Sequence, residues 1–150
     1  MKALVIAWLI VLGLPGQVEA CSCDFMTVAK RIEHSEDVFV GTVLSMKPFY
    51  RTVTIRTGKL TLYQVRARLR VEQSWKGPHR DVVEVVTGEG GGMCGVEVQE
   101  GQRFLVYANK GTRDLNSTLV TSICFGSHEV HRTAEPFDSL GTPAWVRSAR

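Results

Sequence analysis

The chain has 150 residues, with 18 Lys and Arg against 15 Asp and Glu, and a formal net charge of +3 at pH 7. Hydrophobic residues make up 44% of it and charged residues 22%, an ordinary globular composition that argues against a disordered or fibrous chain. The densest basic group, Arg66, Arg68 and Arg70, alternates with apolar residues, so it reads as the solvated face of a strand rather than a nucleic-acid footprint.

The N-terminus has the layout of a secretory leader over residues 1–20. Lys2 supplies a positive charge, Ala3 to Leu14 run apolar, Pro15 and Gly16 break the run, and Val18-Glu19-Ala20 precedes Cys21. Twelve apolar residues are fewer than the roughly 20 needed to span a bilayer core, and no later stretch approaches that length. Removal of the leader leaves about 130 residues, close to the commonest size of one domain, and makes Cys21 the first residue. A lipid-attachment cysteine is the rival reading. That route prefers small uncharged residues just before the cysteine, and Glu19 is charged. Export to the extracellular space is expected, with the periplasm or a lipid-tethered envelope location as variants.

Next in order, Phe25, Val28, Ala29 and Ile32 recur at helical spacing opposite Lys30, Arg31 and Glu33, which predicts a short amphipathic helix over residues 25–34. Val38–Met46 reads as a strand with a bulge or bend at Gly41. Arg51–Arg56 alternates and is followed by a turn at Thr57-Gly58-Lys59. From Tyr63 the alternation is clear: Tyr63, Val65, Ala67, Leu69 and Val71 face one way, with Gln64, the three arginines and Glu72 facing the other. A turn at Trp75–Asp81 leads to strands at Val82–Thr87, Phe104–Ala108 and Leu119–Phe125. Many short strands with turn signals and little helix predict an all-β barrel, closed or partly closed, or a sandwich. Residues 131–150 are weakly patterned and read as a tail, either a short helix or disordered. No repeat, low-complexity tract or linker divides the chain.

All four cysteines, Cys21, Cys23, Cys94 and Cys124, follow the leader. An even number in an exported chain reads as two disulfides. Cys21 and Cys23 are too close to bond each other without severe strain. Each must therefore reach Cys94 or Cys124, and spacing alone leaves both such pairings open. Either closes loops of roughly 70 to 100 residues, worth about 4–5 kcal/mol each in the chain-entropy model, and clamps a terminus that is ordinarily frayed. A structural zinc site would need C-x₂₋₄-C pairs that are missing.

Other motifs carry less. Gly88–Gly92 (GEGGG) lacks the G-K-[ST] of a phosphate loop and reads as a hairpin connection, and His128–His131 (HEVH) is one residue short of H-E-x-x-H. Asn116-Ser117-Thr118 is a glycosylation sequon.

The ordered set of CSC after the leader, EDVFVGTV, SWKGP, MCGV, FLVYA and TSICF resembles the N-terminal inhibitory domain of the tissue inhibitors of metalloproteinases, a netrin-like module. The resemblance covers most of residues 21–125. It implies a five-stranded OB-fold barrel over residues 21–130 and the pairing Cys21–Cys94 and Cys23–Cys124. It also implies an inhibitor rather than an enzyme, with no cofactor of its own, acting as a monomer on a zinc metalloprotease. The α-amine and carbonyl of Cys21 would chelate the protease's catalytic zinc in trans. Ser22 would enter the S1′ pocket, and Cys23, Gly92 and Met93 would complete the wedge in the substrate cleft. The alternative function is a netrin-like adhesion or envelope-binding module without inhibitory action.

Overall fold

The computed structural model describes residues 21–89, 93–112, 115, 118–131 and 137–148. The leader read in residues 1–20, the middle of the glycine-rich loop including Gly92, and Asn116 and Ser117 of the sequon lie outside them. Among the described residues the chain is mostly strand, and no helix is long and apolar enough to cross a membrane.

Helix α1 spans Val28–His34, with the Thr27 side chain accepting from the Lys30 N–H at its start. It begins three residues later than its apolar spacing predicts. Thr27 is extended, at φ −67° and ψ 158°, and Cys23 is tied by a disulfide, so the chain turns helical only beyond these two constraints. Phe25 therefore falls before the helix and is 91% exposed, whereas helical spacing placed it on the buried face.

Strands β1 (Asp37–Ile55) and β2 (Gly58–Lys76) form one long antiparallel hairpin closed by Arg56-Thr57. The sequence reading takes Val38–Met46 and Arg51–Arg56 as separate segments, with Lys47–Tyr50 between them. The structure runs straight through. β1 pairs with β4 only as far as Thr42, so Pro48 sits where β1 is an edge strand, the place sheets tolerate proline. Gly41 does mark a register shift. A Cβ there would approach the Arg70 carbonyl oxygen to 2.7 Å, so only glycine lets the strands meet.

Strands β3 (Val82–Gly88), β4 (Arg103–Lys110) and β5 (Leu119–Thr121) follow. The order β1-β2-β3-β5-β4, with β4 returning to β1, closes a ring of five strands. Among the described residues only the β3–β5 pairing is parallel. Two short strands sit outside the ring, β6 (His128–Glu129) on β4 and β7 (Trp145–Val146) on β2. The fifth strand is shorter than predicted, since Ile123–Phe125 is a 3₁₀ turn ending at Gly126 in the left-handed region, φ 96°. Hydroxyls replace the missing ladder: the Tyr107 N–H donates to Ser127 Oγ, and Thr121 Oγ1 donates to the Tyr107 carbonyl, each at 2.8 Å.

Alternation along β1 and β4 builds two cores. Phe39, Val43, Phe104 and Val106 join Val65, Ala67, Leu69 and Val71 of β2, Val83 and Val85 of β3, and Leu119 of β5 in one cluster fed by all five ring strands. The opposite faces of β1 and β4 carry Val38, Val40, Leu105 and Tyr107, covered by Ile32 of α1 and by Phe137 and Leu140 of a C-terminal 3₁₀ turn. Each such side chain stabilises the fold by about 1.5–3 kcal/mol on burial, which makes β4, buried on both faces, its most constrained strand. The C-terminal residues, read from sequence as a patternless tail, are sewn to β2. Trp75 Nε1 donates to the Gly141 carbonyl at 2.8 Å, and Arg147 Nε donates to the Val71 carbonyl at 2.7 Å.

Candidate functional site

The two disulfides are Cys21–Cys94 and Cys23–Cys124, the pairing implied by the resemblance. Cys94 lies in the connection between β3 and β4, and Cys124 in the 3₁₀ turn after β5. Both partners of the C-x-C pair thus sit at one place in the fold.

That place is built from below. At the end of β3, Thr87 is fully buried and its Oγ1 accepts the Val96 N–H at 2.7 Å, closing the base of the β3–β4 connection. Two glycines let the closure happen: a Cβ on Gly95 would fall onto the Gly88 carbonyl, and one on Gly88 would come within 2.9 Å of Met93 Cβ. Cys94 itself has φ 51°, the left-handed region that a non-glycine residue enters at a cost. Its side chain makes the disulfide to Cys21. The Ile123 N–H donates to the Cys94 carbonyl at 3.0 Å, so the two loops that hold the disulfides also hold each other.

On this base Cys21 is half-buried, while Ser22, Cys23, Asp24 and Phe25 are exposed. Met93 is half-buried beside Cys94. Of the wedge residues read from sequence, Cys21, Ser22, Cys23 and Met93 are brought together by the disulfides, and Gly92 falls outside the described residues. A recess of about 480 Å³, lined by Met46, Tyr63, Val65, Gly88 and Val96 among others, lies against the base of the same loop.

Two large apolar side chains near the disulfides went unread. Phe25 is 91% and Ile123 45% exposed. Phe25 fits a helical period and Ile123 a strand period, and those patterns mask both. The available signal was Thr27, a good N-cap residue that dates the helix start to Val28.

All four cysteines are consumed in disulfides, and a disulfide sulfur is no thiolate ligand. What Cys21 can offer a metal is therefore its main-chain nitrogen and oxygen. Among the described residues no group of three His, Cys, Asp or Glu side chains is placed to hold a metal ion. His128 and Glu129 are strand residues, and His128 Nδ1 is 2.8 Å from the Gly126 carbonyl, so the HEVH segment does not form the helical face of a zinc protease. Comparison of the sequence with models of known protein families and with curated proteins gives no match in either.

Proposed function

We propose that the mature chain is a secreted, monomeric inhibitor of zinc metalloproteases, of OB-fold, netrin-like architecture, acting through the main chain of Cys21. The ring order β1-β2-β3-β5-β4 with β1 closing on β4 supports reading it as a five-stranded OB barrel. The observation that carries the function is the double tether. Residues 21 and 23 are each fixed by a disulfide to loops that are themselves joined by the Ile123–Cys94 hydrogen bond, an arrangement that makes the first residue after the leader rigid and leaves Ser22 exposed between two anchors.

The chemistry follows from elementary coordination. A catalytic zinc keeps three protein ligands and one open position filled by water. The α-amine and carbonyl of one residue form a five-membered chelate and displace that water. The amine must be neutral to donate, and an α-amino pKa of about 7.7–8.0 makes this a small demand near neutral pH, whereas a lysine at about 10.4 would be poorly suited. Rigid placement of the chelating residue means little conformational entropy is lost on binding. Ser22, next along the chain, is the side chain directed at the pocket beyond the scissile position, and Met93 flanks it.

The test is a panel of zinc metalloproteases titrated with three forms of the protein: mature, acetylated on the Cys21 amine, and extended by one alanine. Only the mature form should inhibit. One residue moves the amine by up to about 3.6 Å, whereas a zinc–nitrogen bond is only about 2.0–2.1 Å long. Inhibition by the extended form, or by none of the three across the panel, overturns the reading.

A further inference from the structure

We propose that the outer face of β2, with its flanking strands, binds a linear acidic polysaccharide, with Arg68 and Arg70 as the central contacts. The cross-strand register sets Lys47, Ser45 and Thr42 of β1 opposite Arg66, Arg68 and Arg70, and Val86, Glu84 and Val82 of β3 on their other side. Directly opposed residues of antiparallel strands share a face. With Glu72, the next outward residue of β2, this face carries four cations and two carboxylates, a surplus of two positive charges.

The arrangement makes poor sense for folding alone. Lys47 directly opposite Arg66 is a like-charge pair, which destabilises a sheet. Arg66 is relieved by Glu84 at 3.3 Å and lies over the Phe49 ring, 5.1 Å from its centroid. Arg68 and Arg70 are exposed and have no hydrogen-bond or ion-pair partner among the described residues. At the Arg70 end the face opens into a recess of about 830 Å³ whose lining includes Glu72, Asp81 and Arg147. Its carboxylates are already engaged. Glu72 accepts from Thr42 Oγ1 at 2.6 Å and from Arg103 Nε at 2.7 Å, and Asp81 pairs with Arg147 at 2.9 Å. None of them neutralises Arg70.

Successive guanidiniums on one strand face are about 6.6–6.8 Å apart, a regular row suited to anionic groups repeated along a polymer. Each presents a planar fork that matches a carboxylate or sulfate. The alternatives fit less well. Phe49 within the row is covered by Arg66, and Trp145 in the recess at the Arg70 end is covered by Arg147, so neither ring offers an open platform for stacking bases. Apart from Val82 and from Val146 in the recess, the large exposed apolar side chains, Phe25, Tyr50, Ile55, Leu60 and Ile123, lie outside the row, which lacks the apolar insertion of a membrane-docking face. The two disulfides belong to an oxidising, extracytoplasmic setting, where acidic polysaccharides are abundant.

The experiment compares the mature protein with the Arg68→Gln/Arg70→Gln and Arg68→Lys/Arg70→Lys double variants. Binding to heparin, to polygalacturonate, to phosphatidylserine-containing vesicles and to random-sequence duplex DNA is measured at physiological ionic strength. The mature protein should bind at least one polysaccharide more tightly than vesicles or DNA. The Gln variant should lose about tenfold in that affinity, the sum expected of two exposed ion contacts, and elute at lower salt. The Lys variant should retain most of the binding. Melting temperature and any protease inhibition should be unchanged in both, since neither arginine touches the disulfide end. Equal binding by the mature and Gln forms overturns the proposal, as does preference for vesicles or DNA.

Discussion

The Ile123 N–H and the Cys94 carbonyl, 3.0 Å apart, join two loops that are distant in sequence and that each carry one disulfide to the N-terminal segment. The contact makes a closed circuit: Cys21 to Cys94, across the hydrogen bond to Ile123, on to Cys124, and back through its disulfide to Cys23. Breaking any one link leaves the other paths in place, so position and stability should respond differently to each break.

Replacing Cys23 and Cys124 together by serine should lower stability by about 2–5 kcal/mol, the usual range for a native disulfide of an exported domain. The Cys21→Ser/Cys94→Ser variant should lose a similar amount, because the sequence separations of 101 and 73 residues differ too little to matter in a logarithmic loop term. Guanidinium unfolding of the mature protein and the two variants measures both. A loss below about 1 kcal/mol in either would show that the clamp is not what orders the terminus, given the loop lengths involved.

Glycine positions separate packing from backbone freedom. Gly95→Ala puts a methyl group onto the Gly88 carbonyl, so the β3–β4 connection must open and carry Cys94 with it. A cost of about 1–3 kcal/mol is expected from overpacking, together with weaker protease inhibition. Gly101→Ala meets nothing within 4 Å but has φ 84°. It should cost about 1 kcal/mol of backbone strain and leave inhibition intact. Equal inhibition by both variants at matched folded concentration would separate the loop from the site.

Much of this architecture was legible because periodicity reports burial. Val65 to Val71 alternate in sequence and in the structure, with Ala67, Leu69 and Val71 buried and the arginines exposed, whereas Gln64, read as outward-facing, is buried. Gly41 was legible as a break. The union of Val38–Met46 with the segment read as Arg51–Arg56 was not, since edge status decides whether a strand accepts Pro48 and edges are a property of the assembled sheet. Trp145–Val146 was equally hidden, because a two-residue strand has no period and is specified by the β2 backbone it meets. At the site, C-x-C excluded one disulfide pairing by strain, the resemblance implied which of the other two forms, and the structure has that one. The exposure of Phe25 turned on where Thr27 caps the helix.

Asp37 offers a test of the ring seam. It is the first residue of β1, its side chain is 8% exposed, and Arg80 Nη2 donates to its carboxylate at 2.7 Å. Arg80→Met would leave that carboxylate with its main cationic partner gone in a poorly solvated place. A loss of about 1–3 kcal/mol is expected, the cost of a buried acceptor deprived of its donor. The exposed pair Lys110–Glu36, 3.9 Å apart, should by contrast give less than about 1 kcal/mol on Lys110→Met. Thermal unfolding of the two variants reads the difference, and similar small losses in both would mean that water reaches Asp37.

The chelation reading also fixes a pH dependence. Zinc binds the neutral α-amine, so a proton must leave the amine when the complex forms below its pKa. The neutral fraction is nearly complete only above about pH 9 and falls about tenfold for each pH unit below about 7, given an α-amino pKa of about 7.7–8.0. The inhibition constant should therefore rise about tenfold per unit as pH is lowered from 7 toward 6, and level off only above about pH 9. The protease has titrating groups of its own, so each value is divided by that of a small zinc-chelating inhibitor whose donor group does not titrate in this range. The Ser22→Gly variant should follow the same slope at a different absolute affinity, because the proposed mechanism assigns its side chain to a pocket and the metal to the amine and carbonyl of Cys21. A corrected inhibition constant that stayed flat between pH 6 and 8 would exclude the amine as the donor, whatever the potency at neutral pH.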